Sequence, residues 1–82
     1  MALSKQLKAC MLADFAYQYN KSLGYDYKVD IKDKYAFIGQ PGAGGKYVCT
    51  GYFIKSLIDY CLEHFGTTPC LCCYDDQIQF YI

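Results

Sequence analysis

Cys70-Leu71-Cys72-Cys73, with His64 upstream, offers three thiols and an imidazole, the donor types of a tetrahedral zinc site. Spacing argues against that use. On a strand Cys70 and Cys72 project to one side and Cys73 to the other, and no C-x-x-C pair elsewhere completes a tetrahedron. The chain has six cysteines and no readable export signal, so the expectation is free, reduced, mostly buried thiols, with no metal, no cofactor and no disulfide framework. His64 lies three residues after Cys61 and beside Tyr60 on a helical repeat. A Cys-His nucleophile needs a cleft and an orienting third group, which that spacing does not supply, so a half-buried structural histidine is the reading. Ser4, Ser22 and Ser56 stand in no nucleophile-elbow motif, and seven Asp and one Glu fall in turns or alternating positions. No catalytic constellation is legible, and the chain reads as a non-enzyme.

The second chemical candidate is the run Gly39-Gln40-Pro41-Gly42-Ala43-Gly44-Gly45-Lys46. It follows a predicted strand and precedes a predicted helix, and it resembles the phosphate-cradling glycine loop of P-loop nucleotide hydrolases. It departs from that pattern at two points. An extra Gly separates the expected Gly from Lys46, and Tyr47 stands where a Ser or Thr would hold magnesium. A chain of 82 residues is also too short for a parallel P-loop sheet, so only the local physics carries over. Gly42, Gly44, Gly45, Lys46 and Tyr47 could bind an anion through backbone amides and an ammonium, which makes a nucleotide or other small phosphorylated ligand the alternative function.

Charge narrows the partners. Eight Lys balance eight acidic residues, the formal charge is zero and the pI is near 6.5. Every cation is Lys. Without Arg the chain lacks the bidentate fork that reads guanine edges, and its balance gives no general attraction to a polyanion, so DNA is not an expected partner. No apolar run approaches the ~20 residues of a membrane span, and residues 1–16 read as the start of a helix and not as a signal peptide. An intracellular protein without membrane contact is expected.

The elements that position these residues follow from periodicity. Ser4 caps a helix in which Leu7, Met11, Phe15, Tyr19 and Leu23 recur at helical spacing with Leu12 and Ala16 beside them, and Gly24 stops it. Residues 25–32 alternate, with Tyr25, Tyr27, Val29 and Ile31 on one face and Asp26, Lys28, Asp30 and Lys32 on the other. Asp33-Lys34 turns the chain into a second strand, 35–38. After the glycine run, Thr50 caps a second helix, 51–65, with Phe53, Ile54, Leu57, Ile58, Cys61, Leu62 and Phe65 inward. Gly66 ends it, and strands at 70–74 and 77–82 turn at Asp75-Asp76. Halves 4–38 and 50–82, joined by loop 39–46, thus make one domain, 1–82. Gly24 and Gly66, and Asp33 and Asp75, share an offset of 42 residues, which reads as a pseudo-repeat of topology. The order αββαββ is a cyclic permutation of the split-βαβ, ferredoxin-like plan. It predicts an α+β fold, a four-stranded antiparallel sheet with both helices on one face. The open face should show Asp26, Lys28, Asp30, Lys32, Gln77 and Gln79, and its edges favour a homodimer.

Ten tyrosines in 82 residues exceed what one small core can use. Tyrosine buries a large area at low entropic cost and is enriched at binding hot spots, so Tyr25 and Tyr27 join the loop as candidate contact residues. The expected function is stoichiometric binding to a protein or protein complex, as in the small inhibitors of host defence systems made by phages and mobile elements. A zinc or thiol protein built on Cys70, Cys72 and Cys73 is the third reading.

Overall fold

The computed structural model describes residues 3–24, 27–39, 51–74 and 77–82. Helix α1 spans Lys5–Ser22, starting where the Ser4 hydroxyl accepts the Leu7 N–H at 3.1 Å. It ends where Gly24 takes the left-handed conformation, φ 72°, which a Cβ would strain. Strands β1, Lys28–Lys32, and β2, Tyr35–Gly39, form a hairpin whose Asp33 also sits at positive φ, 56°, a conformation that Asp tolerates better than most residues. Helix α2 spans Gly51–Phe65 and ends at Gly66, φ 73°, whose N–H bonds the Leu62 carbonyl. Strands β3, Cys70–Cys73, and β4, Ile78–Tyr81, make the second hairpin. The predicted strand start at Tyr25-Asp26, the cap at Thr50 and the turn at Asp75-Asp76 lie outside the described residues.

All strand pairs are antiparallel and the sheet order is β1-β2-β4-β3. Because β4 lies between β2 and β3 and runs against both, β2-α2-β3 is a split βαβ unit, the order that the permuted plan requires. Ala36 and Ile38 of β2 and Ile78 and Phe80 of β4 point to the helices and join Leu12, Ala13, Ala16, Phe53, Leu57 and Cys61 in one buried cluster. Fully burying a side chain such as Phe53, Phe80 or Leu57 contributes ~1.5 to 3 kcal/mol.

The two helices use this core differently. The stripe predicted for α1 is rotated toward its Leu12 and Ala16 side, which is buried as expected: Leu7 and Leu23 are exposed, Met11, Phe15 and Tyr19 are half-buried, and the buried line is Ala9, Leu12, Ala13, Ala16 and Asn20. Small side chains let α1 lie close on β1, β2 and β4, whereas α2 packs on α1 and reaches the core through larger ones. Positions 42 apart are therefore not equivalent in burial. Ala13 is buried and Lys55 exposed, Asn20 is buried and Leu62 exposed, so the repeat is one of topology only.

Asn20 ties α1 to the sheet. Its side-chain amide donates to the Tyr27 carbonyl at 2.8 Å, and its Oδ1 accepts the Tyr27 N–H at 3.1 Å. Aromatic contacts join the helices: Phe15 stacks on Tyr60 at 4.4 Å, and Phe53 meets the edges of Tyr19 and Tyr27 at 5.5 and 5.0 Å. The domain is small and α+β, with aromatic clusters rich in tyrosine. Among the described residues, no helix is long and apolar enough to cross a membrane.

Candidate functional site

The registers fix which side chains share the sheet surface away from the helices. Directly paired residues lie on the same face, so Lys28, Asp30 and Lys32 of β1 join Tyr35 and Phe37 of β2, Gln79 and Tyr81 of β4, and Cys70 and Cys72 of β3. The central strands carry the rings. Tyr35 lies 5.4 Å from Tyr81 and 6.4 Å from Phe37, all three half-buried. Two ammonium groups lie against them: Lys34 Nζ is 5.5 Å from the Tyr81 centroid and 6.0 Å from that of Tyr35, and Lys5 Nζ is 4.5 Å from that of Tyr81. Each cation–π contact of this exposed kind is worth ~0.5 to 1 kcal/mol and holds the rings in place.

Lys5 is fixed further by donating to the Ile82 carbonyl at 2.9 Å. Tyr74 Oη donates to Gln79 Oε1 at 3.0 Å, and its phenol is pushed above the ordinary tyrosine value, first by hydrogen bonding with the Cys72 thiol. Lys28 and Asp30 form an open ion pair at 3.6 Å, which on an exposed surface contributes little. A hollow of about 250 Å³ lies over this side of the sheet, bounded by Tyr35, Cys70, Leu71, Cys72, Gln79 and Tyr81. Aromatic walls, an amide and flanking ammonium groups make a surface suited to docking against another surface.

A second concavity of about 340 Å³ runs between the helices, lined by Phe15, Tyr19, Ser56, Asp59, Tyr60 and Glu63, with His64 at its rim. Its polar groups are turned to structural use. Asp59 pairs with Lys55 at 2.9 Å, and the Ser56 hydroxyl donates to Tyr19 Oη at 3.0 Å. Burial, aided by the Asp14 charge, raises the Tyr60 phenol. His64 is exposed, against the half-buried expectation, because its ring lies on the outside of Tyr60 with centroids 4.2 Å apart.

Gly42, Gly44, Gly45, Lys46, Tyr47 and Tyr25 lie outside the described residues. Tyr27 is placed in the core, 8% exposed, with its ring against Phe53 and its backbone held by Asn20. The outer sheet face instead carries the rings of Tyr35, Phe37 and Tyr81, which sequence reasoning did not select, beside the expected Gln79. The signal was available: Tyr35 and Phe37 share one parity, Tyr81 shares the parity of Gln77 and Gln79, and the permuted order makes their strands central neighbours.

The cysteines depart from expectation in exposure. Cys10, Cys70, Cys72 and Cys73 are free and exposed, and only Cys61 of the described five is buried. Among the described residues no three His, Cys, Asp or Glu side chains gather in a group that could hold a metal. Burial pushes the Cys61 thiol up to about 11, so it has almost no thiolate at neutral pH. In a timed thiol-disulfide assay with mass mapping, Cys10, Cys70, Cys72 and Cys73 are expected to label quickly and Cys61 only as the protein opens. Rapid native labelling of Cys61 would contradict its placement.

Comparisons of this chain with protein-family models, with curated proteins and with solved structures gave no match.

Proposed function

We propose that this chain is a small non-enzymatic binding protein that acts by stoichiometric contact of its outer sheet face with a protein partner. The observation that carries this reading is the row Phe37, Tyr35 and Tyr81 across the two central strands, half-exposed, with Lys34 and Lys5 against its rings. Rings on that side serve no internal core. Their arrangement has the make-up of a hot-spot cluster: aromatic anchors near the centre of a patch, with polar groups around them. A partner surface that covers them would gain their apolar area and desolvate the Lys34 and Lys5 contacts. Occupying that surface of the partner is sufficient to inhibit it. The exposed free thiols Cys10, Cys70, Cys72 and Cys73 suit a reducing, intracellular setting.

A protein fits better than a nucleic acid on electrostatic grounds. The chain has zero formal charge and no Arg. Of the lysines on or beside the face, Lys28 is matched by Asp30 and Lys5 is engaged at the Ile82 carbonyl.

The test is affinity capture from the native host with the wild-type chain, with Tyr35→Ser/Tyr81→Ser, and with Tyr17→Ser as a control on the exposed side of α1. The double variant should keep its fold and lose the partner, since two hot-spot truncations at ~2 kcal/mol or more each weaken binding by on the order of a thousandfold. Tyr17→Ser should retain it. A partner kept by the double variant and lost by Tyr17→Ser would refute the assignment of the face. Tight oligonucleotide binding that collapses with added salt would refute the assignment of a protein partner.

A further inference from the structure

The two edges of the sheet are unlike. Edge strand β1 reads Lys-Val-Asp-Ile-Lys and is guarded by charge, a usual protection against unwanted pairing. Edge strand β3 reads Cys-Leu-Cys-Cys, all four residues are exposed, and no charged residue occurs from Gly66 to Tyr74. Neither helix packs on β3, and among the described residues its outer side has no strand beside it.

The phase of its backbone follows from the hairpin. Tyr74 N–H bonds the Gln77 carbonyl at 2.8 Å, so Tyr74 and Gln77 form a hydrogen-bonded pair. Alternation along an antiparallel ladder then makes Cys72 with Gln79 and Cys70 with Tyr81 the next such pairs. Leu71 and Cys73 therefore direct their N–H and C=O groups outward, away from β4.

We infer that β3 is a self-pairing edge, at which two copies of this chain join antiparallel about a two-fold axis through Cys72 into one continuous sheet. Symmetry and Pro69 select that register. Residues directly across from each other must share a face, so a two-fold perpendicular to the sheet has to pass through a residue and not between residues. An axis at Leu71 sets Cys73 against Pro69 of the second copy, which has no N–H to give the Cys73 carbonyl. An axis at Cys70 opposes Leu71 to Pro69 with the same loss. An axis at Cys73 carries Leu71 past the end of the strand, opposite position 75. With the axis at Cys72, Leu71 faces Cys73 of the other copy twice, and every outward donor and acceptor of β3 is used. Leu71, 40% exposed in the single chain, then packs against a thiol across the junction. No like charges meet there. The inference is independent of what the outer face binds, although it would set two such faces side by side.

The junction is a non-hydrogen-bonded pair at Cys72, with Cα atoms about 4.5 Å apart, within the span that a disulfide bridges. Two measurements on the full chain test the proposal. Under reducing conditions, light scattering from about 10 μM to 1 mM should show the mass rising from one chain toward two, since so short an interface implies weak association. Diamide, which takes up the two protons and two electrons released by a pair of thiols, should trap a covalent dimer in the wild type, Cys70→Ser and Cys73→Ser. Cys72→Ser should lower that yield at least about tenfold, because the remaining thiols do not face their own copies. Cys73→Pro removes an outward N–H that the β3–β4 ladder does not use. It should raise the dissociation constant on the order of 30-fold, for two lost bonds per dimer, with the melting temperature nearly kept. A single-chain mass throughout the range, or an undiminished trapped dimer in Cys72→Ser, would overturn the proposal even if Cys73→Pro failed to fold.

Discussion

Replacing Asn20 by Ala is expected to destabilise the fold by about 2 to 4 kcal/mol, seen as a shift in the urea midpoint at unchanged slope. Asn20 is 7% exposed and makes both bonds to the Tyr27 backbone, so Ala removes an acceptor from a buried N–H and a donor from a buried C=O together. A chain of 82 residues has a total stability of roughly 4 to 12 kcal/mol, so this one change consumes a large fraction of it. Asn20→Asp separates the two bonds. The ionised carboxylate can still accept the Tyr27 N–H but faces the Tyr27 carbonyl without a proton to give. Burial raises its folded pKa above the unfolded value of about 3.9, so the folded state binds more protons than the unfolded one. Stability of that variant should therefore rise as pH falls from 7 toward 4. A cost below ~0.5 kcal/mol for Asn20→Ala would mean that the clamp does not hold α1 to the sheet.

Phe53→Ala is the second large effect, about 3 to 5 kcal/mol. Phe53 is fully buried at the start of the described part of α2, with its ring edge-on to Tyr19 of α1 and to Tyr27. Although α2 packs chiefly on α1, that ring, with Leu57 and Cys61, ties the helix into the core. Its loss leaves a cavity and also removes aromatic contacts worth ~0.5 to 1.5 kcal/mol each beyond area burial. The expected result is near-complete unfolding at 37 °C, or a lowered denaturant slope if α2 detaches while α1 stays on the sheet. Phe53→Leu should recover most of the loss. A melting temperature within a few degrees of the wild type for Phe53→Ala would contradict the packing described for α2.

Much of the architecture was legible because it depends on local pattern. The caps at Ser4, Gly24 and Gly66 need only one turn of chain to act, and the αββαββ order follows from element succession. Sheet order also followed, since a permuted split-βαβ plan admits β1-β2-β4-β3 without further information. What periodicity could not reveal was phase against the rest of the fold. In α1 the pattern picks out Leu12 and Ala16 but also the larger Leu7, Met11 and Phe15, and the helix seats itself on Leu12 and Ala16 with Ala9 and Ala13, because close approach to three strands rewards small side chains. No pattern in the sequence singles out Asn20, and its value appears only when Tyr27 is brought beside it. The outer-face rings were missed for a related reason. Tyr25 and Tyr27 stood out in the cleanest alternating run, but the alternation that placed Tyr27 with Val29 also turned it to the helices. Tyr35, Phe37 and Tyr81 become a cluster only after β2 and β4 are set side by side.

Site-specific photo-crosslinking in the cells that make the protein would show whether the outer sheet face is the proposed binding surface. A photoreactive phenylalanine analogue would replace Phe37 on the face, Tyr17 on the exposed side of α1, or Leu62 on the exposed side of α2. A discrete protein adduct is expected from position 37, absent when Tyr35→Ser/Tyr81→Ser is added, and none from positions 17 and 62. An adduct from 17 or 62 with none from 37 would contradict it.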